Sequence, residues 1–547
     1  ENNIYLWEVI MLNRYMPNGL MSIGAAALLL AGSAHAQLTD SNLTDLNDNA
    51  DAPGGFVNRS LRDQVGRGQG DDTVFGTSSF FIKRDPARSV RRGRQLFQRK
   101  FTERQGLGPR VNYFSAGDIT QNRALGAGLA DSCAACHGRP RGSAGVGGDV
   151  ATRPDSRDAP HLFGLGIVEQ LGEEMTEELR QIRSDALSDA QTQGSAVTVA
   201  LLTKGTDYGT LTAFPNGDLD TSGVDGVDEN LRVKPFFHQG GTASIREFVI
   251  GALKDEMGLQ SPDPILCAVT RQHNPQMRVS PSGFVFDPSQ DTFERPPVCS
   301  RFRDPDRDFI RNEIDAALID HFEFYLLNYF KPGTYVQNAR TQAGRNLLDQ
   351  ADCTSCHTAT MVVDSDRRIA DVETVYDPVQ GGFNELFATA SLRVTQVDDG
   401  HEFPKLLPTG DSFVVENFFS DLKRHDLGPK FHEREYDGTR VTEFVTEPLW
   451  GAGTTAPYGH DGRSINLDQV IRRHGGEAQA SRDAYVALSD DDQRKIQEFL
   501  QSLVLFPPDD TASNLNPGDQ NAADPQDPAN HGTINLGALF TTDAGPE

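Results

Sequence analysis

The chain has 547 residues, 37% of them hydrophobic and 24% charged. At roughly 100–200 residues per domain this is enough for about two to four domains with buried cores, which excludes wholesale disorder. There is no apolar run of about 18 residues or more after residue 36, which excludes a polytopic membrane protein. With 51 Lys and Arg against 78 Asp and Glu the net charge is −27. Such a charge repels phosphate backbones and argues against nucleic acid, while it suits solubility and a basic docking partner.

In chain order, the stretch from Met11 reads MLNRYMPNGLMSIGAAALLLAGSAHAQ. Arg14 supplies a positive start, Gly24 to Gly32 a short apolar core, and Ala34-His35-Ala36 a cleavage site. This predicts a secretory signal removed before Gln37, hence a periplasmic or secreted protein with no membrane span in the mature chain. Residues 1–10 precede any Met and are set aside from fold reasoning. Residues 37–75, rich in Asp, Asn and Gly, read as a loose leader, and 507–547 as a disordered tail. Between them the expectation is an N-terminal domain with insertions over 76–330 and a C-terminal domain over 331–506.

Six cysteines are too few for a disulfide scaffold of this size. Four of them form two copies of C-x-x-C-H, Cys133-Cys136-His137 and Cys353-Cys356-His357, the haem c attachment signature. Two thiols one turn apart suit thioether bonds to the two vinyl groups, and the next imidazole supplies an iron ligand from the same turn. The rival readings are a zinc site or a redox dithiol. Zinc would need four ligands, and the spare Cys267 and Cys299 are better paired as a disulfide, which an oxidising compartment allows. Two covalently bound haem c groups are therefore expected.

The halves repeat. Gly93-Arg94-Gln95-Leu96-Phe97 precedes the first motif and Gly344-Arg345-Asn346-Leu347-Leu348 the second, each read as the start of a short amphipathic helix. Downstream, Pro235-Phe236-Phe237-His238-Gln239-Gly240 loosely matches Ala456-Pro457-Tyr458-Gly459-His460-Asp461-Gly462. Helices are expected after each, from Ser244 and from Asn466. His137 to His238 spans 101 residues and His357 to His460 spans 103, which reads as common design. Asp308 to Phe330 is strongly helical, with Ile310, Ile314, Leu318, Phe322 and Tyr325 on one face, stopped by Pro332-Gly333. Ser489 caps a last helix. Strand signals are few, so the predicted fold is mostly α, two cytochrome c-like haem domains with long loops.

Function turns on the sixth iron ligand, because a strong one makes an electron carrier and a weak or missing one leaves a reactive iron. For the second haem the candidates are His425, His460 and His474. His474 is preferred, since Gly475-Gly476 would let the backbone approach a macrocycle; His460 is read as fixing its loop and His425 as a supporting hydrogen-bond partner. For the first haem the repeat places Ala252 where His474 stands, so the two irons should differ. Met257 could ligate there and Glu256 could face an open iron; His161 and His238 are further candidates. Met361 is too close to His357 to reach the other haem face.

With these residues in view the chain resembles the bacterial di-haem c-type oxidoreductases, relatives of di-haem cytochrome c peroxidase and of the di-haem enzyme that matures tryptophan tryptophylquinone. The resemblance covers about residues 88–507. It is carried by Cys133-Ala134-Ala135-Cys136-His137-Gly138, Leu162-Phe163-Gly164-Leu165-Gly166-Ile167-Val168-Glu169, Asp421-Leu422-Lys423-Arg424-His425-Asp426-Leu427-Gly428, Pro448-Leu449-Trp450-Gly451, His460-Asp461-Gly462-Arg463 and His474-Gly475-Gly476-Glu477-Ala478. It implies that a residue after the His-Asp-Gly loop ligates the electron-transfer haem. That residue is His474 here, not Met, which should lower that iron's potential. It also implies that Glu256, directly before Met257-Gly258, serves the peroxidatic haem. The family's peroxidatic Gln is not evident among Arg246, Glu247 and Phe248.

The resulting expectation is an exported oxidoreductase. Electrons would pass through the C-terminal haem (His357, His474) to a reactive N-terminal haem (His137), with Glu256 moving protons and peroxide as a possible oxidant. The redox partner would be a small cytochrome or cupredoxin. The alternative is a non-catalytic two-haem electron carrier, with Met257 or His161 closing the first iron. Asp218-Leu219-Asp220-Thr221-Ser222-Gly223, with Glu229 at the twelfth place, also fits a calcium loop.

Overall fold

The computed structural model describes residues 69–504 except 103–104, 109–130, 138–154, 156, 297, 301, 305–310, 312, 329–332, 335–336, 377–385 and 436, and beyond 504 only 516–518 and 531–533. The signal segment, nearly all of the leader and most of the tail lie outside the described residues.

Eleven α-helices occur among the described residues. They are α1 Ser78–Arg84, α2 Pro86–Gln98, α3 Cys133–His137, α4 Leu165–Gln193, α5 Ile245–Met257, α6 Pro264–Val269, α7 Ala316–Leu327, α8 Ala339–Gln350, α9 Leu467–Arg473, α10 Gln479–Ala487 and α11 Asp490–Gln501. Their starts follow from local chemistry. Ser244, Asn466 and Ser489 each accept a hydrogen bond from the backbone N–H three residues on, satisfying a donor the helix itself leaves unpaired. Asn338 and Thr341 form a reciprocal capping box on α8. Asp85 caps α2, with Pro86 at the first helical position, where its missing N–H costs nothing.

The repeat is real, and its register is sharper than the sequence motifs suggested. Gly93 and Gly344 are not at helix starts; they lie inside α2 and α8, where α7 and α11 cross them. A Cβ on Gly93 would stand 2.3 Å from the His321 carbonyl, and one on Gly344 would stand 1.9 Å from the Lys495 carbonyl. A second glycine meets the end of each crossing helix: Gly166 against the Leu327 carbonyl at 1.9 Å and Gly453 against that of Gln501 at 2.1 Å. His321 to Leu327 and Lys495 to Gln501 are both six residues, so the two glycine contacts fall at the same spacing along the crossing helix in each half. Further on, Phe236 bridges Thr242 and Tyr458 bridges Ser464, and each bridge leads into a capped helix, α5 or α9.

Each crossing therefore depends on a missing side chain. Gly344→Ala would gain about 0.5–1 kcal/mol of helix propensity. It would also press a methyl into a main-chain carbonyl that cannot rotate away, an overpacking cost of roughly 1–3 kcal/mol or more. The expected outcome is a lower denaturation midpoint with an unchanged m-value, measured by urea unfolding.

The insertions fall differently in the two halves, which corrects the spacing argument. His137 to Phe163 is 26 residues and Phe163 to His238 is 75, whereas His357 to Trp450 is 93 and Trp450 to His460 is 10. The near-equal totals are a coincidence of unlike insertions.

The expectation of a mostly α protein built from two cytochrome c-like domains is corrected too. Among the described residues there are nine antiparallel sheets, one of three strands and eight of two, and no cytochrome c fold is evident. The first insertion holds the three-stranded sheet. Its strands Val197–Thr203 and Thr206–Ala213 turn at Lys204-Gly205, both with positive φ (45° and 88°), the hairpin geometry that matches strand twist. The second insertion holds paired strands Thr360–Val363 with Phe413–Glu416 and Ala370–Tyr376 with Leu386–Leu392. The frames are also stitched together. Gly333–Thr334, beyond α7, pairs with Leu503–Val504, beyond α11.

Candidate haem sites

The first motif is the single turn α3. His137 Nδ1 lies 2.7 Å from the Pro160 carbonyl. A carbonyl only accepts, so Nδ1 carries the proton and the Nε2 lone pair is left over for a ligand. The second motif is a 3₁₀ turn, Cys353–Ser355, running into Cys356 and His357. His357 Nδ1 lies 2.9 Å from the Phe419 carbonyl, which fixes the same tautomer. Burial holds both imidazoles below their ordinary pKa, against the opposing pull of those carbonyls.

The four motif cysteines are unbridged. Burial pushes the Cys133 thiol up to about 12 and the Cys353 thiol up to about 11, the reverse of the lowered value a redox dithiol needs. Among the described residues one group of metal-type donors converges, Cys356, Asp421 and His425, with ligand atoms within 4.8 Å. It borrows a sulfur from the second motif, and His425 is already held between Asp421 (2.8 Å) and Glu477 (2.7 Å). Thiols one turn apart beside an imidazole with an unspent Nε2 are a donor set that fits haem c at both motifs.

His474 follows the last residue of α9. Its Nδ1 lies 2.7 Å from the Val470 carbonyl, again leaving Nε2 as the lone pair. Burial takes its pKa down to about 4, with His357 and Arg473 nearby adding to the effect. The imidazole is thus neutral and within electrostatic reach of His357. Phe431 meets its ring edge-on at 5.4 Å. Gly475-Gly476 also have a local packing role. A Cβ on Gly476 would stand 2.1 Å from the Asp426 carbonyl, so the glycines let this segment close on the 425–428 loop. Glu477 completes that clamp, accepting the Asp426 N–H at 2.8 Å.

Other candidate histidines have less to offer an iron. His238 Nδ1 is 2.8 Å from Glu447 and its Nε2 is 3.0 Å from the Asp158 carbonyl. His161 accepts the Phe163 N–H at Nδ1 (3.2 Å), and its ring also meets the Trp450 carbonyl. His460 stacks on Phe444 at 4.0 Å and lies 3.2 Å from Glu433. Arg157 donates to Glu433 at 2.9 Å. Burial works against the Glu433 carboxylate, but His460 and Arg157 outweigh it and bring its pKa down to about 2. His238 and His460, equivalent in the repeat, meet with ring centroids 5.9 Å apart.

In the first half Ala252 lies inside α5, which runs on for more than a turn beyond it. Met257 ends the helix, buried in the main core, and Glu256 beside it is half-buried. Arg246, near the place of the family's Gln, is wholly buried against Asp263, Asp320 and Glu323. The residues placed electrostatically around His137 are His161 and His238. In the acidic loop Asp218 takes the Asn216 amide (2.7 Å) and Asp220 takes the Ser222 N–H (2.9 Å). Asp218, Asp220 and Glu229 do not converge on a cation position. Cys267 and Cys299 do form a disulfide.

Sequence reasoning missed a third repeat element. Leu162-Phe163-Gly164-Leu165-Gly166 and Leu449-Trp450-Gly451-Ala452-Gly453 are equivalent. Gly164 (φ 74°) and Gly451 (φ 82°) are both left-handed, and Gly166 and Gly453 both seat a helix end. The pattern L-[FW]-G-[LA]-G was there to be found, hidden by the unequal insertions.

Residues 414–503 match a family model described as "Di-haem oxidoreductase, putative peroxidase". The resemblance drawn from the motifs is thus shown over the segment carrying His425, Trp450, His460 and His474, and it supports a coarse di-haem redox role. No curated protein and no solved structure matches the chain.

Proposed function

We propose that this chain is an exported di-haem c-type oxidoreductase with one electron-transfer site and one reactive site. The observation that carries the reading is the shared tautomer of His137 and His357, each donating Nδ1–H to a backbone carbonyl beside an unbridged C-x-x-C. When bound, haem supplies a one-electron iron couple and, where its sixth position is open, a place for a small oxidant such as peroxide.

The chain's own residues set the difference between the sites. Cys353 and Cys356 would tether one group and His357 hold it, with His474 as the second nitrogen donor. Cys133, Cys136 and His137 would hold the other, where the repeat offers Ala252 in place of an imidazole. Glu256 would exchange a proton with the oxidant at that face. The formed Cys267–Cys299 disulfide suits an oxidising compartment. Among the described residues no helix is long and apolar enough to cross a membrane. A chain carrying −27 would dock a basic redox protein such as a small cytochrome or cupredoxin.

Electron paramagnetic resonance tests the asymmetry. The native protein should show one low-spin haem with nitrogen ligands and one high-spin or readily displaced haem. His474→Ala should turn the low-spin signal high-spin and raise that haem's potential, while the other signal stays put. Two low-spin haems in both the oxidised and the half-reduced protein, with no reaction of either reduced haem with hydrogen peroxide, would make the chain an electron carrier instead.

A further inference from the structure

We propose that His425 is the positioning residue of the second site, the tie that holds the segment carrying His474 against the segment that orients His357. This deepens the di-haem reading above and rests on it, since it concerns the two nitrogen donors assigned there.

The ring is gripped at both ends. Nε2 lies 2.8 Å from Asp421 Oδ2, and Nδ1 lies 2.7 Å from Glu477 Oε2. A carboxylate only accepts, so both nitrogens carry protons and the ring is a cation with two charge-assisted bonds. Burial opposes that charge, but the bond to Asp421 outweighs it and holds the ring above the ordinary imidazole pKa.

Each arm leads to a donor. Asp421 lies two residues beyond Phe419, whose carbonyl fixes the His357 tautomer. Between them, the Ser420 N–H donates to the carbonyl of Thr358, the residue after His357, at 3.2 Å. Glu477 lies three residues beyond His474. Its second oxygen accepts the Asp426 N–H at 2.8 Å, and its own N–H donates to the Asp426 carbonyl at 3.0 Å. The Asp421 end is braced from the first half. Thr206 and Tyr208 donate their hydroxyls to the Asp421 carbonyl at 3.3 and 3.2 Å, and the Arg424 N–H donates to the Gly226 carbonyl at 3.0 Å. Asp421 is thus the fixed end of the tie. Glu477, with 47% of its side chain exposed, is the outer end.

The repeat shows what the tie does to the chain. Ser244 and Asn466 cap equivalent helices, so Ala252 matches His474, and Leu253-Lys254-Asp255 match Gly475-Gly476-Glu477. Helix α5 continues through its three and ends at Met257, whereas α9 stops at Arg473. Gly476 takes a left-handed φ of 51°, against the Asp426 carbonyl. His474 therefore leaves the helix just where the chain is drawn in to His425, and its placement is set by the tie as well as by the helix.

The test uses the holoprotein with His425→Gln and His425→Ala, beside His474→Ala as the reference for a lost donor. Pyridine haemochrome counts haems per chain, electron paramagnetic resonance gives their spin states, and carbon monoxide titration of the reduced protein counts open irons. Without the tie the Glu477 segment samples other placements, so the ligating one is populated less. The expected result is two haems per chain, with the low-spin signal largely lost in His425→Ala and a second equivalent of carbon monoxide bound, as in His474→Ala. His425→Gln, which can still donate to one carboxylate, should lose less of the signal. The signal of the first haem should stay put. A His425→Ala protein that keeps the native low-spin signal and gains no carbon monoxide binding overturns the tie. So does equal disturbance of both haems, which assigns His425 to the fold at large. If the alanine chain does not fold, His425→Gln and Glu477→Gln decide by the same signals. If His474→Ala itself leaves the low-spin signal intact, or the native chain carries fewer than two haems, the reading of the site fails and the tie falls with it; the reference variant and the haemochrome report that separately.

Discussion

A chain with both Cys353 and Cys356 replaced by alanine is expected to carry one covalent haem instead of the proposed two. Its mass should fall by one tetrapyrrole and its pyridine haemochrome per chain should halve. Without thioethers the second group would be held only through His357 and His474, a reversible attachment that washing and denaturation remove. The rest of the site gives little help. Cys353, Cys356 and His357 all keep partial solvent access, and the Asp421–His425–Glu477 pairing that lines this region is already satisfied within itself. The matching change at Cys133 and Cys136 should remove the other haem and leave the low-spin signal assigned to His357 and His474. The two double variants together identify which spectrum belongs to which motif. If both chains keep two haems through denaturing gel electrophoresis, covalent c-type attachment is wrong, however well the family resemblance holds.

The parts of this fold that were legible in the sequence are those whose cause is local. Ser489 read as a cap, and Ser244 and Asn466 as helix starts, because a short side-chain oxygen three residues before a donor is a local device, and all three cap their helices. Cys267 and Cys299 read as a pair because nothing else in the chain wanted them. The small sheets were missed because each is two or three short strands placed by tertiary contact; only the Val197–Ala213 hairpin carried a clear signal, in alternation around Lys204-Gly205. Helix α7 was legible in one respect only. Ile314, just before it, and Leu318, Phe322 and Tyr325 are buried as the periodicity required. The opposite stripe, with Asp320, His321 and Glu323, looks in sequence like a solvated face, yet all three are at 0% exposure. A buried ion cluster and a wet helix face have the same composition. Only the partner on another helix tells them apart.

That partner is Arg246, and its removal is expected to have the largest effect on stability of any single charge change considered. The guanidinium sits at 0% exposure, with Asp263 (Nε, 2.9 Å), Asp320 (Nη1, 2.9 Å) and Glu323 (Nη1, 2.8 Å) around it, all three carboxylates at 0% as well. Ser78 and Gln69 donate to Asp320, and Asp263 also caps α6, so the cluster ties α1, α5, α6 and α7 together. Burial still holds Asp320 and Glu323 above their ordinary pKa, although Arg246 pulls them down. Arg246→Met keeps much of the stem and removes the charge, leaving three carboxylates in the interior without their cation. The loss is expected to be about 3–5 kcal/mol, the cost of breaking a buried pair from one side. Its pH dependence gives the cause away. Asp320 and Glu323 have folded pKa values above the unfolded ones, near 3.8 and 4.5, and losing Arg246 raises them further. Their protonated, folding-compatible forms are therefore fully populated below the unfolded values and are lost as pH rises through the raised ones. Urea unfolding should show Arg246→Met recovering toward the native chain on acidification and falling away toward neutral pH. Adding Asp320→Asn and Glu323→Gln should restore much of the stability at neutral pH and flatten the dependence. A deficit that is the same at every pH, or that the added amides deepen, would mean that the loss comes from packing around α5 and not from stranded charge.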